Sequence, residues 1–199
     1  MAARKPTRPY HHGDLKAALK AAALKLVGQK GPRGFSLNEA SRLAGVTVAA
    51  PYRHFADKDA LLAEMICDGN AILAREVREA VEAVSGTREQ MLEAGMAYLR
   101  FSVKHADYFA LIFNSGLEKS KHPEVQRTAQ DAFGIILGLA QDLESTAALA
   151  RERALSAWAL VHGLATLNAD GALALAAEKE QGIEHLRSIL RDFLKRPQK

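Results

Sequence analysis

A single cysteine, Cys67, stands in the 199 residues, and that scarcity excludes an intrachain disulfide and any zinc site built on cysteines. No stretch approaches twenty apolar residues without a polar interruption, and no apolar run precedes Asp14. Neither a membrane span nor a secretory leader is expected, and the chain reads as cytoplasmic. Alternating runs of β-branched residues are missing, which removes strands from the reading. So are the frames that carry catalysis. No glycine-rich loop ends in Lys-Ser or Lys-Thr, no His-Glu-x-x-His occurs, and no Ser or Cys sits in a recognisable nucleophile frame. Gly31-Pro32-Arg33-Gly34 reads as a turn, and the adjacent His11 and His12 are poorly spaced to share a metal on a helix. The expectation is no enzyme, no cofactor and no metal.

What the chain does have is lopsided charge. Of its 27 Lys and Arg, 11 fall in residues 1–58 beside three of the 23 Asp and Glu, a net of +8; residues 59–199 carry 16 against 20, a net of −4. A basic end on an acidic remainder suits the neutralisation of phosphates and keeps the remainder off a polyanion. Arg4, Lys5 and Arg8 form a basic arm ahead of the first helix, placed to reach a phosphate or a minor groove. With 48% hydrophobic and 25% charged residues, the composition is that of a globular chain with a small head and a larger body.

Apolar residues recur at helical spacing throughout, and Gly31-Pro32, Ser85-Gly86, Ser115-Gly116 and Gly171 punctuate them. The expected fold is all-α, with helices near 14–29, 36–44, 48–55, 57–84, 88–104, 106–115, 123–144, 149–170 and 178–196.

Residues 33–62 are the most informative. Ser36 is a good N-cap and Glu39, three residues on, completes a capping box for a helix carrying Leu37, Ala40 and Leu43 on one side. Gly45 ends it, because glycine accepts the left-handed backbone beyond a helix end, and Val46 then plugs the space between helices. Thr47 is placed to cap a second helix, Val48 to Phe55, with Ala50 and Phe55 inward and Val48, Ala49, Tyr52, Arg53 and His54 left for a partner. Pro51 falls in its first turn and should stiffen it. Asp57 caps a longer third helix with Lys58 in the first turn and Leu61, Leu62, Met65 and Ile66 inward. The short turn fits a helix-turn-helix unit, a geometry that also occurs where it merely packs.

Phe35-Ser36, Ala44-Gly45-Val46-Thr47, Tyr52-Arg53-His54-Phe55 and Lys58-Asp59-Ala60-Leu61, with Tyr10-His11-His12-Gly13-Asp14-Leu15 upstream, resemble the N-terminal domain of the TetR family of bacterial transcription regulators. The resemblance covers the first third of the chain closely. It implies a DNA-binding domain over 1–57 and a helical effector-binding and dimerisation domain over 58–199. It puts Tyr52, His54 and Lys58 where phosphates are held and Thr47, Val48 and Ala49 where bases are approached; Arg33, Ser36 and Arg53 complete the DNA-facing set. The family often carries Lys, Ser or Asn after the threonine, whereas Val48, Ala49 and Ala50 offer only methyl groups. A base code with apolar and indirect components is expected.

In the body, Leu155, Trp158, Leu160, Val161, Leu164 and Leu167 on one helix, and Ile183, Leu186, Ile189, Leu190, Phe193 and Leu194 on the last, make wide apolar faces. The family pairs its last two helices into a dimeric four-helix bundle, and Trp158, Leu160, Leu164, Leu167, Leu186, Ile189, Leu190 and Phe193 are the expected interface. Trp158 to His162-Gly163 resembles a Trp, then His-Gly signature of one subset of TetR-like C-terminal domains. Gly163 in mid-helix makes sense if another helix crosses closely there. A packed core or interface histidine and an effector ligand are both open readings of His162, and Cys67 reads as a small buried hydrophobe rather than a redox sensor. Met91, Met96, Tyr98, Phe101, Phe109, Phe113, Phe133, Trp158 and His162 are the effector-site candidates, in a lining apolar enough for a hydrophobic or aromatic molecule. The resemblance thus implies a homodimeric regulator of a pseudo-palindromic double-stranded DNA operator, a repressor released by a small molecule. A dimeric ligand binder without specific DNA recognition, or an activator of the same fold, are the alternatives.

Overall fold

Helix α1 (His12–Lys30) buries Leu19, Ala23, Leu26 and Val27, spaced three and four apart, against the rest of a helical head. The computed structural model describes residues 12–173 and 183–195, so the basic arm Arg4, Lys5 and Arg8, like His11, lies outside the described residues. Lys16 and Lys20 reach from α1 to Glu64 and Asp68, each at 2.6 Å.

The capping box starts α2 (Leu37–Leu43): Glu39 N–H donates to Ser36 Oγ at 3.2 Å and Ser36 N–H to Glu39 Oε2 at 2.9 Å. Lys30 pairs with the same Glu39, and that contact with the Ser36 hydrogen bonds holds the carboxyl down to about 2. Gly45 takes φ 72° and turns the chain as expected. Leu43, expected inward, is instead exposed, and Ser41 takes the buried position with its hydroxyl on the Leu37 carbonyl at 2.8 Å.

The segment expected as a helix over 48–55 is a turn followed by a 3-10 helix, Pro51–Arg53. Its bonds run to the third residue back, Ala50 N–H to Thr47 O, Arg53 N–H to Ala50 O and His54 N–H to Pro51 O. Pro51 has no N–H to give the Thr47 carbonyl, so a regular ladder cannot pass through it. The 3-10 helix has no side-chain cap, and its buried anchors are Pro51 and Phe55; Ala50 is only half-buried.

Asp57 caps α3 (Lys58–Glu82) through Ala60 N–H at 2.8 Å. This 25-residue helix runs out of the head and into the body, where it packs on α4 (Thr87–Lys104), α5 (Ala106–Asn114) and α6 (Pro123–Gln141). Helices α7 (Ala147–Ala169) and α8 (Leu186–Lys195) close the body against α4. One apolar core, from Leu19 and Phe55 through Ile66 and Met96 to Leu190, runs through head and body.

At Gly95 a Cβ would stand 3.0 Å from Leu190 Cδ1 and 3.2 Å from Val161 Cγ1, so glycine lets α8 and α7 approach α4. Arg187 of α8 then binds Glu93 of α4, which Arg100 also reaches. Burial would raise the Glu93 pKa, but the two guanidiniums outweigh it and hold it below the usual carboxylate range. Of the last helix expected over 178–196, residues 178–182 and 196 lie outside the described residues. Its described part opens with a 3-10 turn, Ile183–His185. No helix among the described residues is long and apolar enough to cross a membrane.

Candidate functional site

Two surfaces gather the sequence's candidates. The first is the outer face of the head. Thr47, Val48, Ala49, Tyr52 and Arg53 are exposed on the 3-10 segment and the turn before it, with Val48 43% and Tyr52 56% accessible. Methyl groups and a phenol at the tip, flanked by exposed arginines at Arg42 and Arg53, form a contact surface that is apolar at its centre. Much of the head's remaining positive charge is committed internally, since Lys16, Lys20 and Lys30 each hold a carboxylate. His54 is half-buried behind this tip.

Lys58 lies 4.4 Å from the Phe35 ring centroid and donates to the Arg33 carbonyl at 3.3 Å, and burial lowers its pKa. Ser36 spends its hydroxyl on the cap of α2. Arg33, expected at DNA, turns toward the body: its Nε donates to the Asn114 carbonyl at 3.2 Å, and a Cβ on Gly116 would stand 3.0 Å from that nitrogen. Sequence had no signal for this contact, because its two partners are 81 residues apart.

The second surface is a cavity of about 440 Å³ inside the body. Helix α3 contributes Ile66, Asn70, Leu73 and Val77, and α4 contributes Met91, Ala94, Gly95 and Tyr98. Ile112 and Phe113 of α5, Phe133 and Ile136 of α6, Trp158, Val161 and His162 of α7, and Leu190, Phe193 and Leu194 of α8 complete most of the wall. Six candidates therefore line it: Met91, Tyr98, Phe113, Phe133, Trp158 and His162. Phe101 and Phe109 do not, nor does Met96. Phe101 is fully buried against His105, Phe109 packs edge-on to Tyr98 at 6.0 Å, and Met96 is core. Aromatic residues at helical spacing look alike in sequence whether they face a void or another helix.

Tyr98 Oη and His162 Nδ1 are 2.9 Å apart, and Phe113 lies 4.5 Å from the His162 ring. Burial, and then Lys119, lower the His162 pKa, while burial pushes the Tyr98 phenol well up. Both are neutral at neutral pH. The sequence reading missed Lys119, Asn70 and Gln130, the polar members of this wall outside that pair. Lys119 sits on a 3-10 turn (Lys119–Lys121) that only the folded chain brings over the cavity, and its Nζ lies 5.6 Å from the Phe113 centroid. Asn70 was hidden among the apolar residues of α3; its amide donates to Thr128 Oγ1 at 3.0 Å. Burial also raises the Cys67 thiol, which fits its reading as a small hydrophobe.

The expected dimer face divides. Leu164, Leu186 and Leu190 are buried within the chain, and Leu160, Leu190 and Phe193 line the cavity, because α8 folds back on α4 at Gly95. Leu155, Trp158 and Leu167 on α7, with Ile189 on α8, remain exposed. A Cβ on Gly163 would meet nothing within 4 Å, so the helix crossing expected there does not come from the described residues of this chain.

Comparison with known proteins agrees with this architecture. A family model for bacterial regulatory proteins of the tetR family matches residues 19–65, and one for the tetracyclin repressor-like C-terminal domain matches residues 91–190. An uncharacterized HTH-type transcriptional regulator of Haemophilus influenzae is 27% identical over 114 residues, 57% of this chain and 54% of that protein. The match thus spans about half the length of that curated relative. Among solved structures, a protein of unknown function from Rhodococcus sp. RHA1 superposes with a TM-score of 0.78 at 28% identity, over 94% of this chain and 97% of that one. The transcriptional regulator FadR of Bacillus subtilis, solved in complex with stearoyl-CoA, shares the fold with a TM-score of 0.71 at 12% identity, over 89% and 96% of the two chains.

Proposed function

Since the chain belongs to the tetR family of bacterial regulatory proteins, a family of DNA-binding transcriptional regulators, we propose that it acts as a homodimeric repressor released from a pseudo-palindromic operator by a small molecule bound in the body. Residues 1–57 read DNA in this reading, and residues 58–199 bind effector and dimerise.

The observation that carries the effector-release reading is the end of α5 with the connection that follows it. Phe113 and Lys119 line the cavity, and between them the Asn114 carbonyl holds Arg33 of the head. A molecule that moves this connection moves the head. It shifts the equilibrium only so far as it binds the DNA-incompetent arrangement better. Two recognition turns must sit one helical repeat apart, about 34–36 Å, so a small change in head separation breaks simultaneous docking. The apolar wall supports a hydrophobic effector, as does the acyl ligand of FadR within the same fold.

Selection of bound sites from randomised duplex DNA at near-physiological salt tests this. The expected result is an enriched inverted repeat, preferred over random DNA by about 10³ or more. No enrichment from a folded dimer would favour a ligand-binding protein without specific DNA recognition. On the selected site, Tyr52→Phe is expected to weaken all DNA binding, whereas Val48→Ala changes base preference through the lost thymine-methyl contact. Equal loss on every sequence from Val48→Ala would remove Val48 from base readout.

Dimerisation is supported by the exposed apolar residues Leu155, Trp158, Leu167 and Ile189 and by the open Gly163. In a lone chain Gly163→Ala gains about 1 kcal/mol of helix propensity. Against a closely crossing partner helix the added methyl collides, so sedimentation should show Gly163→Ala shifted toward monomer. Unchanged association would take this stretch of α7 out of the interface.

A further inference from the structure

Among the described residues, Lys119 is the only charged one lining the cavity, and no carboxylate pairs with it. The residue is exposed overall, but its ammonium stands 5.6 Å from the centroid of the Phe113 ring, which packs in turn on His162, Phe109 and Tyr98. With His162 and Tyr98 engaged with each other, one end of the cavity carries a single unbalanced positive charge beside a short polar pair. Leu73, Val77, Leu190 and Leu194 give the lining a set of aliphatic side chains. An ammonium partly withdrawn from water gains most from an anion placed beside it, and an aliphatic wall gains most from hydrocarbon.

We propose that the effector is an amphipathic carboxylate of the fatty-acid class, its head paired with Lys119 beside Tyr98 and His162 and its chain lying along the aliphatic wall. This rests on the reading of the cavity as the effector site. The volume gives the scale of the enclosed part. At the ~30 Å³ that a water-sized group occupies in liquid, about 440 Å³ accommodates roughly fifteen non-hydrogen atoms, a chain of about ten to thirteen carbons with its head. Burial lowers the Lys119 pKa without a neighbouring anion to restore it, and a bound carboxylate supplies one.

Titration calorimetry of the full chain with decanoate and with 1-decanol, equal in chain length and different in charge, decides the matter. Decanoate is expected to bind about tenfold tighter or better than 1-decanol, the value of a hydrogen bond to a charged group. Lys119→Met keeps the apolar stem and removes the charge; it should abolish that preference, so that decanoate binds no tighter than 1-decanol. Lys119→Arg should retain it. Equal affinity for the two probes, a preference that survives in Lys119→Met, or no binding of either probe would overturn the proposal. Should Lys119→Met fail to fold, the wild-type preference and its retention in Lys119→Arg decide. The titration uses no DNA and site selection uses no ligand, so the two readings fail separately. An enriched operator without decanoate binding overturns the carboxylate alone, and Lys119-dependent binding without an operator overturns the regulator alone.

Discussion

Phe55→Ala is expected to destabilise the chain by about 3–5 kcal/mol, the range for removing a buried aromatic side chain from a core. Phe55 is 2% exposed, sits directly after the 3-10 segment, and has Lys16 Nζ 5.6 Å from its ring centroid. With Pro51 it is the inward anchor of the segment that carries Val48, Ala49 and Tyr52 outward. Losing it leaves a void that a turn held by few backbone bonds has little means to refill. For a chain of this size the melting temperature should fall by roughly 6–20 °C. Below that melting point, DNA affinity should fall on selected and random sequences alike, because the whole contact surface loses its position. A loss confined to the selected sequence would mean that Phe55 acts through base readout rather than through the fold.

Arg153→Ala is the other large effect, expected at about 3–5 kcal/mol. Arg153 of α7 pairs with Glu144 in the connection from α6, with side chains only 10% and 14% exposed. Removing the guanidinium leaves a carboxylate in a poorly solvated place with no cation to replace it. The pair itself need not be strongly stabilising, since desolvation offsets most of its attraction. The double change Arg153→Met with Glu144→Gln should therefore cost much less than the sum of the single changes. Urea denaturation of the two singles and the double closes the cycle. Additive losses would show that the residues act separately.

The legibility of this chain follows the range of the interactions involved. Ser36 with Glu39, Gly45, and Asp57 with Ala60 were readable because cap and partner lie within three residues, or because one backbone angle demands one residue type. The inward face of α3 was readable because helical spacing reports burial directly. Leu43 misled because its spacing was right but the helix ended beneath it. The helix expected over 48–55 failed for a local reason that was in view: Pro51 was weighed as a stiffener of a helical turn, and its missing N–H instead leaves a 3-10 segment.

The sequence by itself determined the all-helical fold, the basic head, the turn at Gly45 and the family, since each rests on short-range pattern, charge count or motif. Only the tertiary structure decided which aromatics face the cavity, that Leu186 and Leu190 turn inward rather than toward a partner, that Arg33 grips the body, and that Lys119 overhangs an apolar wall. Each of these depends on where helices far apart in the chain cross. A helix wide in apolar surface can bury either side, and only the packing, here the close approach at Gly95, selects which one.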